Sequence, residues 1–270
     1  MRSWWYPAAA RIAAAYAVFS FAWIIVGDRL ANRASPAQGA RLTIEDAKGS
    51  LFVLLSSLLI YVLVSRHEAH RRRSLHEQQE VYDETLLGWA AALDLRDHST
   101  AEHTARVTDL TTRLAASLGF EGRALEHVKR GATLHDIGKM GVPDEILRKK
   151  GPLTDEEWVE MRRHPDLAVQ FLNGIAYLRE SLDIPWCHHE RWDGTGYPRG
   201  LAGTDIPLSA RIFSVIDVYD AVTSERPYRQ PLDHEAAMGL VRDGAGTQFD
   251  PDVVSAFEAL PLHGRHSHHV

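Results

Sequence analysis

The stretch STAEHTARVTDLTTRLAASLGFEGRALEHVKRGATLHDIGKMGVP, Ser99 to Pro143, decides the fold class. Its apolar residues recur every three or four positions, the period of one helix face, and do not alternate as a half-buried strand would. Ser99 and Glu102 form a capping-box pattern, and His103, Val107, Leu110, Leu114 and Leu118 follow at helical spacing, which puts His103 on the core side. Leu125, Val128, Ala132 and His135 share a second face, Asp136 comes next, and Gly138, Gly141 and Pro143 end the segment. Adjacent helical residues project about 100° apart, so His135 and Asp136 can flank one metal or bridge two.

Working outward towards the C-terminus, a further helix is expected to open at Thr154, with Glu157 completing its capping box, to turn Trp158 and Met161 inward and to end at His164 before Pro165. His188 and His189 close another helical segment ahead of the sharp loop Asp193 to Pro198. Asp217 lies among Ile212, Phe213, Val215 and Ile216, where a carboxylate is costly unless something positive pairs with it. From Thr85 the chain therefore reads as an all-α domain. Taken singly, each inward histidine is best read as a hydrogen-bonded core residue and Asp217 as a partner of an arginine. Together, His103, His135, Asp136, His164, His188, His189 and Asp217 are a different matter. Seven nitrogen and oxygen ligands on inward faces would repel and desolvate one another without a cation. No thiolate accompanies them, which disfavours a closed structural zinc site.

Working outward towards the N-terminus, the material changes. Residues 1–65 are expected to form a two-helix, multi-pass anchor of the inner (cytoplasmic) membrane. Ile12 to Val26 is apolar and uncharged behind Trp4, Trp5 and Tyr6, and Ser50 to Ser65 (SLFVLLSSLLIYVLVS) is the stronger span, with a short polar external loop between them. Arg66, Arg71, Arg72 and Arg73 follow at once, so the C-terminal side is expected to be cytoplasmic. Residues 66–84 read as a charged helical linker, residues 85–260 as the domain and residues 261–270 as a disordered tail holding His263, His266, His268 and His269. The lone Cys187 excludes a disulfide framework and reads as a small buried side chain. A net charge of -6, without a basic cluster interleaved with exposed aromatics, argues against DNA or RNA as a partner.

The strings LHDIGKMGVPDEIL (134–147), RRHPDLA (162–168), HHERWDGTGYPRGL (188–201), IPLSARIFSVIDVYDAVTSERPYR (206–229) and GAGTQFDP (244–251) closely resemble the HD-GYP family, in order and with appropriate spacing. That resemblance implies a metal-dependent phosphodiesterase hydrolysing cyclic di-GMP to linear pGpG, in some members on to GMP. It makes His135 and Asp136 the signature pair, with Asp136 bridging two divalent ions, iron or manganese, and His103, His164, His188, His189 and Asp217 completing the ligand set. Lys139 corresponds to a lysine on the substrate phosphate, Arg226 and Arg229 to cations on the dinucleotide, and Gly196, Tyr197 and Pro198 to the GYP motif itself; residues alone would read that motif as a simple turn. The segment STAEH has Ser99 where some members carry a glutamate that helps to hold a third metal, so a two-metal centre is expected. Suitable chemistry is in-line displacement at phosphorus by a metal-activated water, with His135, Asp136 and Lys139 as the catalytic set. The rivals are a non-catalytic cyclic-dinucleotide receptor or scaffold and a phosphohydrolase of other nucleotides. A homodimer through anchor and linker, and a diguanylate cyclase partner, are further expectations.

Overall fold

The computed structural model describes residues 6–34, 38–97, 101–225 and 230–261. Arg226, Arg229, Ser99 and the tail beyond residue 261 lie outside them. The chain divides into two compact units, residues 1–81 and 82–270.

The first unit contains helix α1 (Tyr6–Ala34) and most of helix α2 (Gln38–Asp97). The polar loop expected between two spans is largely helical: α1 continues to Ala34 and α2 is already helical at Gln38. The Ala, Arg, Leu, Glu and Lys residues there are good helix formers, so polarity alone did not mark a break. Within this unit the rings of Phe19, Trp23 and Phe52 meet at centroid distances of 5.9 to 6.3 Å. Of the two expected spans, only α2 from Ala47 onward is long and apolar enough to cross a membrane, with a mean hydropathy of 2.0 in its most apolar stretch; Ala10–Val26 is shorter.

Among its described residues the second unit has helices joined by turns and loops and no strand, apart from an isolated bridge between Ala245 and Phe249. The last turns of α2 are followed by α3 (Ala101–Ser117), α4 (Gly122–Thr133), α5 (Asp144–Leu147), α6 (Asp155–Met161), α7 (His164–Leu172), α8 (Asp183–Cys187), α9 (Leu208–Thr223), α10 (His234–Asp243) and α11 (Pro251–Glu258). Helix α9 is the hub. Its Ile212, Phe213, Val215 and Ile216 are fully buried against Val107 and Leu114 of α3, Val128 of α4, Val241 of α10 and Phe257 of α11. At about 1.5–3 kcal/mol for each large apolar side chain removed from water, this cluster outweighs any single polar contact in the domain. A second cluster joins Leu86 of α2 to Leu134, Ile137, Ala168, Leu172 and Leu178. α2 is further held by Arg130, whose guanidinium meets Asp83 at 2.7 Å and lies 4.3 Å from the centre of the Tyr177 ring.

Three local expectations need correction. Helix α4 stops at Thr133, so His135 and Asp136 stand in a turn before the tight 3-10 segment 137–141. His164 does not end a helix but starts α7, because Pro165, lacking an N–H, is tolerated in a first turn where no intrahelical partner is needed. Trp158 is 45% exposed rather than inward, and the Thr154–Glu157 capping box, formed reciprocally, sets the start of its helix without burying it.

Candidate metal centre

The seven singled-out residues come from five places in the fold: His103 from α3, His135 and Asp136 from the turn after α4, His164 from the start of α7, His188 and His189 from the end of α8, and Asp217 from α9. They gather into two adjoining groups, within each of which potential ligand atoms lie inside 4.8 Å of one another: Asp136, His164, His188 and His189 in one, and His103, His135 and Asp217 in the other. Asp136 stands between them. One of its oxygens lies 3.3 Å from His135 Nε2, while the other faces His164 Nε2 at 3.5 Å and His188 Nε2 at 3.7 Å.

Two glycines make this convergence sterically feasible. A Cβ at Gly138 would collide with the His164 carbonyl, so only glycine lets the segment after Asp136 pack directly on the start of α7. A Cβ at Gly196 would lie 2.6 Å from Glu190 Cα and from the His189 carbonyl oxygen, so the Gly196–Pro198 loop folds flush over the His188–His189 end of α8. Tyr197 donates its N–H to the His189 carbonyl at 3.2 Å and stacks its ring on the His189 ring at 4.6 Å. Buried Glu190 shapes the rest of the loop by accepting the N–H groups of Arg199 and Leu201. The GYP residues thus pack on the ligand cluster rather than forming an incidental turn.

The ring tautomers follow from the partners. His135, His164 and His188 each place Nδ1 2.9 to 3.0 Å from a backbone carbonyl, of Ala132, Met161 and Ile184 respectively. A carbonyl can only accept, so each Nδ1 carries a proton and Nε2 is the nitrogen turned to the centre. His164 Nε2 and His188 Nε2 face one another at 3.3 Å in a buried setting. Two nitrogens so placed can coordinate a cation between them. Burial, followed by the neighbouring His188, pushes the His164 pKa down to about 4, and burial likewise holds His189 well below the usual imidazole range, so His164 and His189 are neutral donors at pH 7. Burial would raise the Asp136 pKa, but Lys139 and His135 hold it well below the carboxylate range. Imidazole nitrogens and carboxylate oxygens, with no thiolate, fit a borderline-to-hard divalent cation.

The supporting residues were not evident from sequence. Asp220 lies one turn beyond Asp217 on α9, accepts from His103 Nδ1 at 2.7 Å and binds the Arg106 guanidinium at 2.5 and 3.0 Å. It orients His103 as a carboxylate behind a ligating histidine does. The i+3 spacing from Asp217 was the available signal. Lys139 Nζ is held at 2.8 Å by both Asp136 and Asp97, the last residue of α2. Burial alone would lower the Lys139 pKa, but two carboxylates at that distance, each worth on the order of 5 kcal/mol at an effective dielectric of 20, raise it, so the ammonium persists. Arg96, beside Asp97, grips the segment carrying Lys139 through the carbonyls of Lys139, Met140 and Val142 and the carboxylate of Asp144.

A helical domain that gathers histidines and aspartates into one cation-fitting centre defines a candidate divalent-metal site. The profile of the HD domain family matches residues 89–253. The chain belongs to this family, and within it to the HD-GYP group. It is 34% identical over 230 residues to a cyclic di-GMP phosphodiesterase of Vibrio cholerae, covering 80% of this chain and 45% of that protein. It is 38% identical to the cyclic di-GMP phosphodiesterase response regulator RpfG of Xanthomonas campestris, covering 68% and 49%. It is 35% identical to a 3'3'-cGAMP-specific phosphodiesterase of Vibrio cholerae, covering 65% and 34%. The chain therefore spans about half or less of the length of the curated relatives it matches. The crystal structure of a cyclic GMP-AMP-specific phosphodiesterase of Vibrio cholerae shares the fold, with a TM-score of 0.52 and 18% identity over 66% of this chain and 48% of that one.

Proposed function

We propose that this protein is a phosphodiesterase that opens a cyclic dinucleotide, cyclic di-GMP in the first instance, to the linear dinucleotide pGpG at a centre of two divalent ions, iron or manganese. The observation that carries the reading is the pair of adjoining ligand groups with Asp136 between them. His164, His188, His189 and one Asp136 oxygen would hold one ion, and His103, His135, Asp217 and the other Asp136 oxygen the second. Ions bound there would activate water at neutral pH and offset charge on the phosphoryl oxygens.

The chain's own residues do the rest. The Nδ1 hydrogen bonds of four histidines keep their Nε2 atoms aimed at the centre. Lys139, held as an ammonium beside Asp136, presents a positive charge to a non-bridging oxygen of the reacting phosphate, where charge grows during in-line displacement. Tyr197 and the loop around it wall the His189 side. Arg226 and Arg229 would add cations for the dinucleotide. The names of the relatives favour cyclic di-GMP, and those of the cGAMP-specific enzymes make the mixed cyclic dinucleotide a second substrate to test. The apolar part of α2 and the arginines from Arg66 to Arg73 support an inner-membrane anchor with this domain on the cytoplasmic side.

The test is made on the full chain in mild detergent, purified anaerobically, with metal content and cyclic dinucleotide turnover read on the same sample. Two ions per chain with pGpG as product is the expected result. A metal-loaded protein that binds the dinucleotide without opening it is a receptor instead.

A further inference from the structure

Arg162 lies in the turn between α6 and α7, two residues before His164. It is exposed, and its guanidinium carbon stands 5.4 Å from the centre of the Tyr197 ring and 5.8 Å from that of Trp158. Trp158 is one turn earlier on the same helix face, which explains that contact from the sequence. Tyr197 in turn stacks on His189, with ring planes 25° apart. Trp158, Arg162, Tyr197 and His189 thus form a chain of contacts from the exposed surface to the ligand cluster.

The charge of Arg162 is uncommitted. Its neighbour Arg163 is paired with Glu160 at 2.8 Å, whereas no carboxylate among the described residues pairs with Arg162. An arginine held by two rings has already lost much of its side-chain freedom, and its planar fork matches a phosphate with two parallel hydrogen bonds. A cyclic dinucleotide carries two phosphates. With the reacting one beside Lys139 and the ligand groups, the other is left for a second cation, and Arg162 is joined to the ligand cluster through Tyr197.

We propose that Arg162 is a substrate-contacting residue whose guanidinium binds the second, non-reacting phosphate of the cyclic dinucleotide. The inference rests on the reading of the centre as a cyclic dinucleotide phosphodiesterase. It makes Arg162 a determinant of binding rather than of the chemical step.

The test compares full-length wild type, R162K and R162A by steady-state kinetics on cyclic di-GMP and on bis(p-nitrophenyl) phosphate, a diester with a single phosphate, with dissociation constants for cyclic di-GMP measured alongside. For R162A, KM and Kd for cyclic di-GMP should rise about tenfold, the scale of one lost charged hydrogen bond, with kcat little altered. R162K should fall between the two, and the loss on the single-phosphate diester should be several-fold smaller. Unchanged KM and Kd, or equal losses on both diesters, would overturn the proposal; equal losses would mean that Arg162 merely props Tyr197. The parent reading fails separately, through wild type that neither binds nor opens cyclic dinucleotides, and that result would remove this inference with it.

Discussion

Asp97 and Asp220 show how side chains outside the two ligand groups can set the behaviour of those at the centre. With Asp136 engaged by a cation, Asp97 becomes the principal anchor of Lys139. D97N should lower kcat by about 10² through misplacement of the ammonium, with KM changed less, as steady-state kinetics would show. Asp220 supports His103, and D220N should weaken metal loading or activity by about 10- to 100-fold, read by metal titration of the apoprotein. Its effect on stability has a defined sign. Burial would raise the Asp220 pKa, but hydrogen bonds from His103 and Arg106 hold it down to about 2. A folded value below the unfolded one of about 3.9 gives stabilisation that is complete above that pH and is lost as pH falls through about 2. Metal-free wild type should therefore lose stability more steeply than D220N between pH 4 and pH 2 in denaturant titrations. The histidines and aspartates that cluster were legible in the sequence, because such residues on apolar faces are anomalous. Asp97, Asp220, Arg96 and Arg106 were not, since a charged residue in a helix is ordinary until its partner, over 40 positions away in the chain, is known.

At the scale of elements, helix starts were easier to read than helix ends. The capping box at Thr154 forms as its pattern implies, with Glu157 accepting the Thr154 N–H at 2.7 Å. T154A should cost about 1 kcal/mol in urea unfolding while leaving kcat unchanged, because Thr154 lies at the opposite end of α6 from Met161, whose carbonyl accepts from His164 Nδ1. The ends of α4 and α6 were misplaced because the periodic pattern runs on through His135 and His164, both of which are buried although they lie beyond the helix that the pattern marks. The last turns of α2 carry an equally hidden role. Arg96 satisfies three carbonyls in the segment that bears Lys139, a task that no local pattern announces. R96A should speed amide hydrogen exchange in residues 139–144 and lower kcat, with little effect on exchange in α9.

At the scale of the whole molecule, the domain folds around α9, and metal binding adds to that stability because the ligands come from elements distant in sequence. A chelator should abolish turnover and lower the thermal midpoint of the full chain, and added manganese should restore both; the midpoint reports this through the linkage of binding to folding. An all-helical domain, a His/Asp centre and an apolar N-terminal region with a basic flank were all determined by the sequence alone, because periodicity, residue chemistry and composition are local properties of a chain. The HD-GYP resemblance already implied a bridging Asp136; only the tertiary structure decided that Gly138 is required by contact with the His164 backbone, that Lys139 answers to α2, and that Arg162 meets Tyr197. Each depends on distances between residues far apart in the chain, which close packing sets and helical periodicity does not encode.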